Sequence, residues 1–296
     1  MRIGVDLGGT KIEIIALDDA SQETYRKRVP TPQGNYQATL QSIKELIRDC
    51  EKQQKRTADS IGIGIPGSVS PATGLIKNAN STCLIGHRLG TDMQSLLGRP
   101  VSFANDADCF ALSEAIDGSG KPYNSVFGVI LGTGVGGGIV INQKRLTGPN
   151  AICGEWGHNP MPWTDEAERL DRECYCGKKN CIETYLSGTG FSKAFNARYH
   201  ETLNTETIWK KAKTGDPRCK VHCEQYIDLL AKALSSVINL LDPEAIILGG
   251  GVSNQESIYP SVQERLGMYV FSDHVSTVIL KAKYGDSSGV RGAAWL

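Results

Sequence analysis

The sequence lacks any apolar run of the roughly 20 residues that a membrane-spanning helix requires. It also lacks an excess of charge of either sign, because 32 Lys and Arg are balanced by 32 Asp and Glu among 296 residues. The first absence argues against a membrane protein, and the second argues against a nucleic-acid-binding surface. A Walker A loop is also absent, so any nucleotide site belongs to another class. We therefore expect a globular protein that acts on a small molecule.

The cysteine content indicates the compartment. Three of the nine cysteines are clustered with the spacing of metal ligands, whereas the others show no such spacing. This pattern fits a reducing environment better than a disulfide framework. The sequence begins with a strand pattern that ends at Asp6, and this start does not resemble a signal peptide. We expect a cytoplasmic protein whose length accommodates two domains.

The segment from 154 to 183 combines soft metal ligands with acidic side chains. One imidazole and three thiolates form the donor set of a closed tetrahedral zinc site. The predicted ligands of a structural Zn²⁺ are His158, Cys174, Cys176 and Cys181. Glu155 and Glu183 flank this set. We predict that they hold a substrate in a rigid polar pocket, and the alternative is a pair of solvated surface carboxylates.

One arrangement occurs twice in the chain. A β-rich run at 2–5 is joined through a glycine turn at 7–11 to a second run at 12–17. A strand at 126–131 is likewise followed by a glycine turn at 132–138 and a returning strand at 139–141. This internal echo predicts two α/β halves that face a shared cleft.

Other elements complete the two halves. The pattern predicts helices at 36–53, 106–116 and 222–241, and strands at 60–65, 101–104 and 244–248. The Gly- and Pro-containing segment 118–122 is the clearest linker. We therefore predict an N-terminal α/β domain over 1–118 and a C-terminal α/β domain with the zinc motif over 119–286. A short small-residue helix at about 287–296 is assigned to the first domain.

Three glycine turns, each at the end of an apolar strand, predict a phosphate-binding site. Such turns present backbone N–H groups and a hydroxyl toward one point. The candidate nucleotide-binding residues are Gly4, Asp6, Gly8, Gly9, Thr10, Lys11, Gly132, Thr133, Gly134, Gly136, Gly137, Gly249, Gly250 and Gly251. Asp6 would contact Mg²⁺ through water, since a bare carboxylate repels phosphate. The alternative is that Asp6 only caps the turn.

The motifs together resemble the ROK family of bacterial sugar kinases, repressors and uncharacterised open reading frames, over essentially the whole chain. The resemblance is carried by Asp6-Leu7-Gly8-Gly9-Thr10-Lys11, Gly64-Ile65-Pro66-Gly67, Asn105-Asp106-Ala107, Leu131-Gly132-Thr133-Gly134-Val135-Gly136-Gly137-Gly138, Gly154-Glu155-Trp156-Gly157-His158 and Cys174-Tyr175-Cys176-Gly177 with Cys181-Ile182-Glu183. It implies an actin-like ATPase (ribonuclease H-like) α/β fold with two domains around a cleft. It also implies ATP with Mg²⁺, a structural Zn²⁺ and a homodimer.

The resemblance assigns roles to individual positions. Asp106 is expected to be the catalytic base that accepts the proton of the attacking sugar hydroxyl. Its structural alternative is a helix N-cap. The expected sugar-binding set is Gly67, Asn105, Asp106, Glu155, His158 and Glu183. His158 would bind zinc through one ring nitrogen and could donate to the sugar through the other.

The choice of sugar rests on two loops. The segment Lys77-Asn78-Ala79-Asn80-Ser81-Thr82 and the Trp156 position resemble the fructokinase or mannokinase branch of the family. The resemblance therefore favours phosphorylation of D-fructose to fructose 6-phosphate, with mannose as a second substrate. An N-acetylglucosamine kinase is the alternative within the family. A sugar-binding transcriptional repressor is the alternative of another class, and it is disfavoured because no helix-turn-helix precedes the first glycine loop.

Overall fold

The computed structural model describes residues 1–79, 81–165 and 171–296. Its strands are β1 (Arg2–Leu7), β2 (Lys11–Leu17), β3 (Glu23–Pro30), β4 (Ser60–Ile65), β5 (Ser68–Val69), β6 (Ile76–Lys77), β7 (Ser102–Asn105), β8 (Ser125–Leu131), β9 (Val135–Ile141), β10 (Lys144–Arg145), β11 (Ala245–Gly249) and β12 (Val278–Lys281). Its helices are α1 (Tyr36–Gln54), α2 (Leu89–Leu97), α3 (Asp106–Ile116), α4 (Glu183–Leu186), α5 (Gly188–Tyr199), α6 (Thr205–Lys213), α7 (Pro217–Leu241), α8 (Ile258–Leu266) and α9 (Ser288–Ala294). Asn80, part of one branch-indicating loop, lies outside the described residues.

The same sheet topology occurs twice, as the repeated glycine hairpins predict. The first sheet has the order β3-β2-β1-β4-β7, and the second has the order β10-β9-β8-β11-β12. In each sheet the first strand pairs antiparallel with the next one along the chain and parallel with a later one. Each sheet carries its own apolar core. Two α/β halves are therefore confirmed.

Helices α3 and α9 lie between the two sheets. Helix α3 packs on β8, β9 and α9, and α9 packs in turn on β1 and β4. Where α9 meets the first sheet, the two backbones are so close that only glycine fits on the sheet. A Cβ at Gly4 would lie 2.2 Å from the carbonyl oxygen of Val290, and one at Gly62 would lie 1.9 Å from that of Ala293. Glycines on β1 and β4 thus allow α9 to pack closely on the first sheet.

The α3–α9 crossing yields a stability prediction. A Cβ at Gly292 would lie 1.6 Å from the carbonyl oxygen of Cys109, whereas one at Gly289 on the same helix meets nothing within 4 Å. We expect Gly292→Ala to lower the free energy of unfolding by about 3 kcal/mol, because the helices must separate. Gly289→Ala, the matched control, should be neutral or stabilising, since alanine favours helix by about 1 kcal/mol. Urea unfolding of both variants tests this, and equal effects would contradict it.

Two predicted boundaries differ from the structure. Strand β9 begins at Val135, so Gly136–Gly138 belong to the strand and not to the turn. The reason is packing: a Cβ at Gly138 would lie 2.8 Å from both the carbonyl oxygen of Ala107 and the Cβ of Ala111. The predicted linker is a compact turn around the buried Glu114, whose carboxylate accepts a hydrogen bond from the amide of Ser119.

Helix α3 packs against the second sheet, across the predicted domain boundary. Side chains of α3, which precedes residue 118, share a cluster with Val126, Val140 and Ile247 of the second sheet. The division at 118 stays a prediction. Sequence patterns also missed the edge strand β3 and helix α2. Across the described ranges, with their gaps at 80 and 166–170, no helix combines the length and the apolar composition needed to span a membrane.

Candidate active site

The junction of β7 and α3 places Asn105 and Asp106 at the cleft. Asn105 is the N-cap of α3, because its Oδ1 accepts a hydrogen bond from the amide of Ala107 at 2.9 Å. Its Nδ2 donates to the carbonyl oxygen of Gly67 at 2.9 Å. Asp106 is the first residue of the helix and is exposed to solvent. The helix-cap alternative for Asp106 is therefore wrong, and its carboxylate is available to a ligand.

Gly67 is needed for its backbone conformation. It has φ of +78°, and a Cβ there would lie 2.4 Å from the carbonyl oxygen of Lys77. This turn opens the small β5–β6 hairpin, which forms a separate two-stranded sheet. Lys77 in turn donates to the carbonyl oxygen of Asn150 in the second half at 3.3 Å. The hairpin therefore connects the two walls of the cleft.

Two carboxyl groups at or near the start of α3 have raised pKa values. Desolvation raises the pKa of Asp106, the amide of Ala107 opposes this, and the charge of Glu155 raises it further. Desolvation and the charge of Asp106 raise the pKa of Asp6 to about 6. A cation between Asp6 and Asp106 would favour both ionised forms. The pair therefore fits Mg²⁺, which binds through carboxylates and retained waters.

Glu183 links the zinc segment to the second glycine turn. Its Oε2 accepts a hydrogen bond from the amide of Val135 at 3.0 Å, and a Cβ at Gly134 would lie 2.7 Å from this same oxygen. Glu183 is half-buried, so the solvated-surface alternative is wrong for this residue. Glu155 is exposed at the cleft wall, and desolvation raises its pKa. Glu155 therefore lies at the cleft, and Glu183 is held against the second glycine turn.

The predicted zinc ligands converge. The ligand atoms of His158, Cys174, Cys176 and Cys181 all lie within 4.8 Å of one another. The Sγ of Cys174 is 3.5 Å from Nδ1 of His158, and the Sγ of Cys176 is 3.6 Å from that of Cys181. One imidazole and three thiols at these separations fit a tetrahedral Zn²⁺. When bound, the ion would tie the His158 turn to the start of α4.

The other ring nitrogen of His158 has a partner that sequence reasoning missed. Nε2 of His158 lies 3.0 Å from the hydroxyl of Tyr175. The signal in the sequence was an aromatic residue between two metal ligands. Trp156, by contrast, is buried and packs edge-on against Phe127. Trp156 therefore has a packing role in the core of the second half.

A cavity of about 340 Å³ lies against the Asn105 and Glu155 side of the cleft. The lining combines polar groups with an apolar wall: Ile65, Ser68, Val69, Pro71, Phe103, Ala104, Asn105, Asp108, Arg145, Leu146, Thr147, Gly148, Pro149, Ala151, Cys153 and Glu155. Within it, Arg145 donates to Asp108 at 2.8 Å. Such a mixture of a few oriented polar groups and apolar surface is typical of small-molecule sites.

A larger cavity, of about 770 Å³, lies in the second half. Its lining is Gly132, Thr133, Gly188, Thr189, Ser192, Asn204, Thr205, Glu206, Gly251, Val252, Asn254 and Gln255. The amide of Gly188 donates to the carbonyl oxygen of Gly132 at 2.7 Å, so the glycine turn and the N-terminus of α5 are held together. Exposed backbone amides and a helix N-terminus suit a nucleotide phosphate chain. Residues 188–192 and 204–206 were missed by the sequence analysis, although Ser187-Gly188-Thr189-Gly190 is itself a glycine-rich helix start.

Only some of the predicted nucleotide-binding residues lie together at this cavity. Gly132, Thr133 and Gly251 line the larger cavity. The other glycines instead permit close packing against neighbouring segments: Gly4, Gly136, Gly137, Gly249 and Gly250. The turn at residues 8–11 does not contribute to this lining within the described residues and lies next to Ser81. Any phosphate contact by that turn therefore stays a prediction, as does the Mg²⁺ contact of Asp6.

Comparison with known proteins identifies the family. The model described as "ROK family" matches residues 2–296, and the chain belongs to this family. The N-acetyl-D-glucosamine kinase of Yersinia pseudotuberculosis serotype O:1b (strain IP 31758) is 40% identical over 301 residues, which covers 100% of this chain and 98% of that protein. The enzyme of the same name from Escherichia coli O127:H6 is also 40% identical, over 100% of this chain and 99% of its own.

Solved structures confirm the predicted actin-like, ribonuclease H-like α/β fold. A ROK hexokinase from Thermus thermophilus is similar with a TM-score of 0.88 and 26% identity, covering 99% of this chain and 96% of that one. A ROK glucokinase from Streptomyces griseus, solved with glucose and AMPPNP, has a TM-score of 0.78 and 26% identity over 99% of this chain and 97% of its own. The two curated relatives do not support the predicted fructokinase or mannokinase branch, since both are N-acetyl-D-glucosamine kinases.

Proposed function

We propose that this ROK protein is an ATP-dependent sugar kinase that phosphorylates N-acetyl-D-glucosamine at its 6-hydroxyl. The observation that carries the proposal is the 40% identity to N-acetyl-D-glucosamine kinases over the entire chain. The cleft supports it, because a cavity with polar groups and an apolar wall lies directly beside Asn105 and Glu155. D-fructose, the substrate predicted from the loops, has no comparable support.

The chemistry assigned to the chain is positioning and proton transfer. Asn105 and Asp106 meet the end of the sugar that carries the attacking hydroxyl, and Glu155 and Glu183 accept hydrogen bonds from its other hydroxyls. Asp106 accepts the proton of the 6-hydroxyl as its oxygen attacks the γ-phosphorus and the bond to the β–γ bridging oxygen breaks. ATP and Mg²⁺ supply the phosphoryl group and neutralise its charge. The expected homodimer stays a prediction.

Closure of the cleft would exclude water from the transfer. The contact between Lys77 and the carbonyl oxygen of Asn150 already joins the β5–β6 hairpin to the opposite wall. A closed cleft suppresses hydrolysis of ATP in the absence of sugar and strengthens the interactions around the reacting groups.

A substrate panel tests the proposed function. ADP release is measured with Mg-ATP and, separately, N-acetyl-D-glucosamine, N-acetyl-D-mannosamine, glucose, mannose and fructose. We expect kcat/KM for N-acetyl-D-glucosamine to exceed that for fructose at least about 100-fold, because a site built for a polar substituent rejects sugars without it. A preference for fructose would overturn the proposal in favour of the branch predicted from the loops. No turnover with any sugar would overturn kinase activity itself.

A further inference from the structure

An ion pair lies in the wall of the smaller cavity, beside residues assigned to the sugar. Nη1 of Arg145 donates to Oδ2 of Asp108 at 2.8 Å, and both residues line the cavity together with Asn105 and Glu155. Asp108 follows Asn105 by three residues at the start of α3, so the two lie on one side of the helix. The pair therefore borders the space that a sugar held by Asn105 and Glu155 would occupy.

The fold holds the Arg145 side chain in place from two sides. Strands β9 and β10 are joined by a two-residue turn in which Asn142 and Gln143 have φ of +50° and +60°, as a tight type I′ hairpin requires. Arg145 pairs with Val140 in this hairpin. Its side chain is only 25% exposed, and Asp108 anchors the guanidinium from α3. Arg145 is therefore positioned at the cavity before any ligand binds.

The guanidinium is the strongest hydrogen-bond donor that the lining offers to a ligand. It carries several N–H groups in a fixed plane, and one of them is directed to Asp108. The other charged groups of the lining, Asp108 and Glu155, only accept hydrogen bonds when ionised. Both ends of the Asn105 side-chain amide already bond to the backbone. An acceptor on the ligand is thus best met by Arg145, since a charged donor forms the stronger bond.

The charges of the lining select a neutral acceptor. Two carboxylates, Asp108 and Glu155, accompany one guanidinium, so the lining repels a carboxylate or a phosphate on the ligand. The carbonyl oxygen of an amide accepts hydrogen bonds without carrying a charge. The lining also includes the apolar side chains of Val69, Pro71 and Leu146, against which a methyl group can pack. An acetamido group combines the two properties.

We propose that Arg145 determines substrate specificity, by donating a hydrogen bond from its guanidinium to the carbonyl oxygen of the acetamido group at C2 of the sugar. Asp108 is the positioning residue that orients the guanidinium. The inference rests on the proposed function, and it names the residue that distinguishes an N-acetylated hexose from the parent hexose. The alternative is that the ion pair only ties β10 to α3.

The test compares Arg145→Met with Arg99→Met. Arg99 is a matched control, because it pairs with Glu51 at 2.6 Å and its side chain is 24% exposed, while neither residue lines the cavity. We expect Arg145→Met to raise KM and calorimetric Kd for N-acetyl-D-glucosamine about 20-fold, the loss of one hydrogen bond from a charged donor. The values for glucose should change less than about threefold, because glucose has no carbonyl group at C2. Arg99→Met should bind both sugars as the wild type does.

Arg145→Lys is a second, more conservative variant. Lysine keeps the positive charge and the ion pair with Asp108 but not the planar fork of donors. We expect its Kd for N-acetyl-D-glucosamine to rise about fivefold, and its Kd for glucose to change less than about twofold. This variant decides the question if the methionine variant does not fold, and an unchanged Kd for the acetylated sugar would then overturn the inference.

The alternatives are distinguishable. Unchanged Kd for N-acetyl-D-glucosamine in Arg145→Met would overturn the inference. Equal losses for both sugars would also overturn it and would indicate that the pair only ties β10 to α3. Because Kd needs no turnover, a wild-type protein that binds the acetylated sugar without phosphorylating it would refute the proposed function while Arg145 is still judged. A wild-type protein that does not bind this sugar would refute both.

Discussion

Replacing Asp106 by Asn should reduce kcat about 10³-fold, because the attacking hydroxyl would lose its proposed proton acceptor while the shape of the site is kept. Asn105, and not Asp106, caps α3, so the helix should survive the substitution. The Ala107 amide can still donate to the side-chain oxygen that it contacts now. We therefore expect KM for the sugar to change less than about threefold. Steady-state kinetics at saturating Mg-ATP measures both constants.

The pH dependence supplies an independent readout of the same claim. A base must be ionised to act, and the raised pKa of Asp106 means that its ionised form is lost at a higher pH than for an ordinary aspartate. Burial also raises the pKa of Asp6, to about 6, so this second carboxylate is lost as the pH falls through that value. Wild-type kcat/KM should therefore fall as the pH is lowered from about 7 to about 5.

The Asp106→Asn variant should respond differently to pH. The charge of Asp106 is one cause of the raised pKa of Asp6, so its removal should move the remaining acid limb to lower pH. Asp19→Asn, at a carboxylate that is 81% exposed, is the control and should match the wild type. A variant that retains near-normal turnover with an unchanged pH profile would exclude Asp106 as the base.

Replacing Cys181 by Ser should abolish zinc binding and reduce kcat/KM for the sugar about 100-fold. Cys181 is buried and directly precedes the segment that carries Glu183. Without the ion, the His158 turn and the start of α4 would lose their common anchor, so the two proposed sugar contacts, His158 and Glu183, would be misplaced. The expected zinc content falls from about one per chain to near zero. Metal analysis and kinetics of the same preparation measure the two effects together.

Cys83→Ser provides the matched control, since Cys83 is a half-buried free thiol outside the ligand cluster. It should retain zinc and activity. The structure holds the zinc segment by backbone bonds as well, including the amide of Ile182 to the carbonyl oxygen of Asn159 at 2.9 Å. The Cys181 variant is therefore expected to remain folded. Full activity in a zinc-free Cys181→Ser protein would show that the metal does not position the sugar-binding side chains.

Local patterns in the sequence were sufficient to predict the two similar sheets and the cluster of candidate metal ligands. The repeated strand–glycine turn–strand unit specified two similar sheets, because a hairpin is encoded by neighbouring residues. His158 and the three cysteines were recognisable because ligand chemistry restricts residue types strongly. The role of Asn105 as helix cap was not predicted, because Asn and Asp are both good caps and only the backbone geometry chooses between adjacent candidates.

Packing between distant segments could not be read from the sequence. Gly136 and Gly249 resemble phosphate-binding glycines, yet a Cβ at Gly136 would lie only 3.0 Å from that of Ala107, and one at Gly249 would lie 2.4 Å from the ring of Phe110. Trp156 was used to choose the sugar, but it is buried and donates to the carbonyl oxygen of Gly136, so its identity reflects packing beneath β9. The fructokinase or mannokinase branch was therefore predicted in part from a residue whose role is packing.

A competition experiment tests the proposed function most directly. The purified protein is incubated with limiting Mg-ATP and equal concentrations of N-acetyl-D-glucosamine and fructose, and the phosphorylated products are quantified by ³¹P and ¹³C NMR. Limiting ATP makes the product ratio equal to the ratio of the two kcat/KM values. We predict that N-acetyl-D-glucosamine 6-phosphate forms almost exclusively. Fructose 6-phosphate as the main product would contradict the proposed substrate.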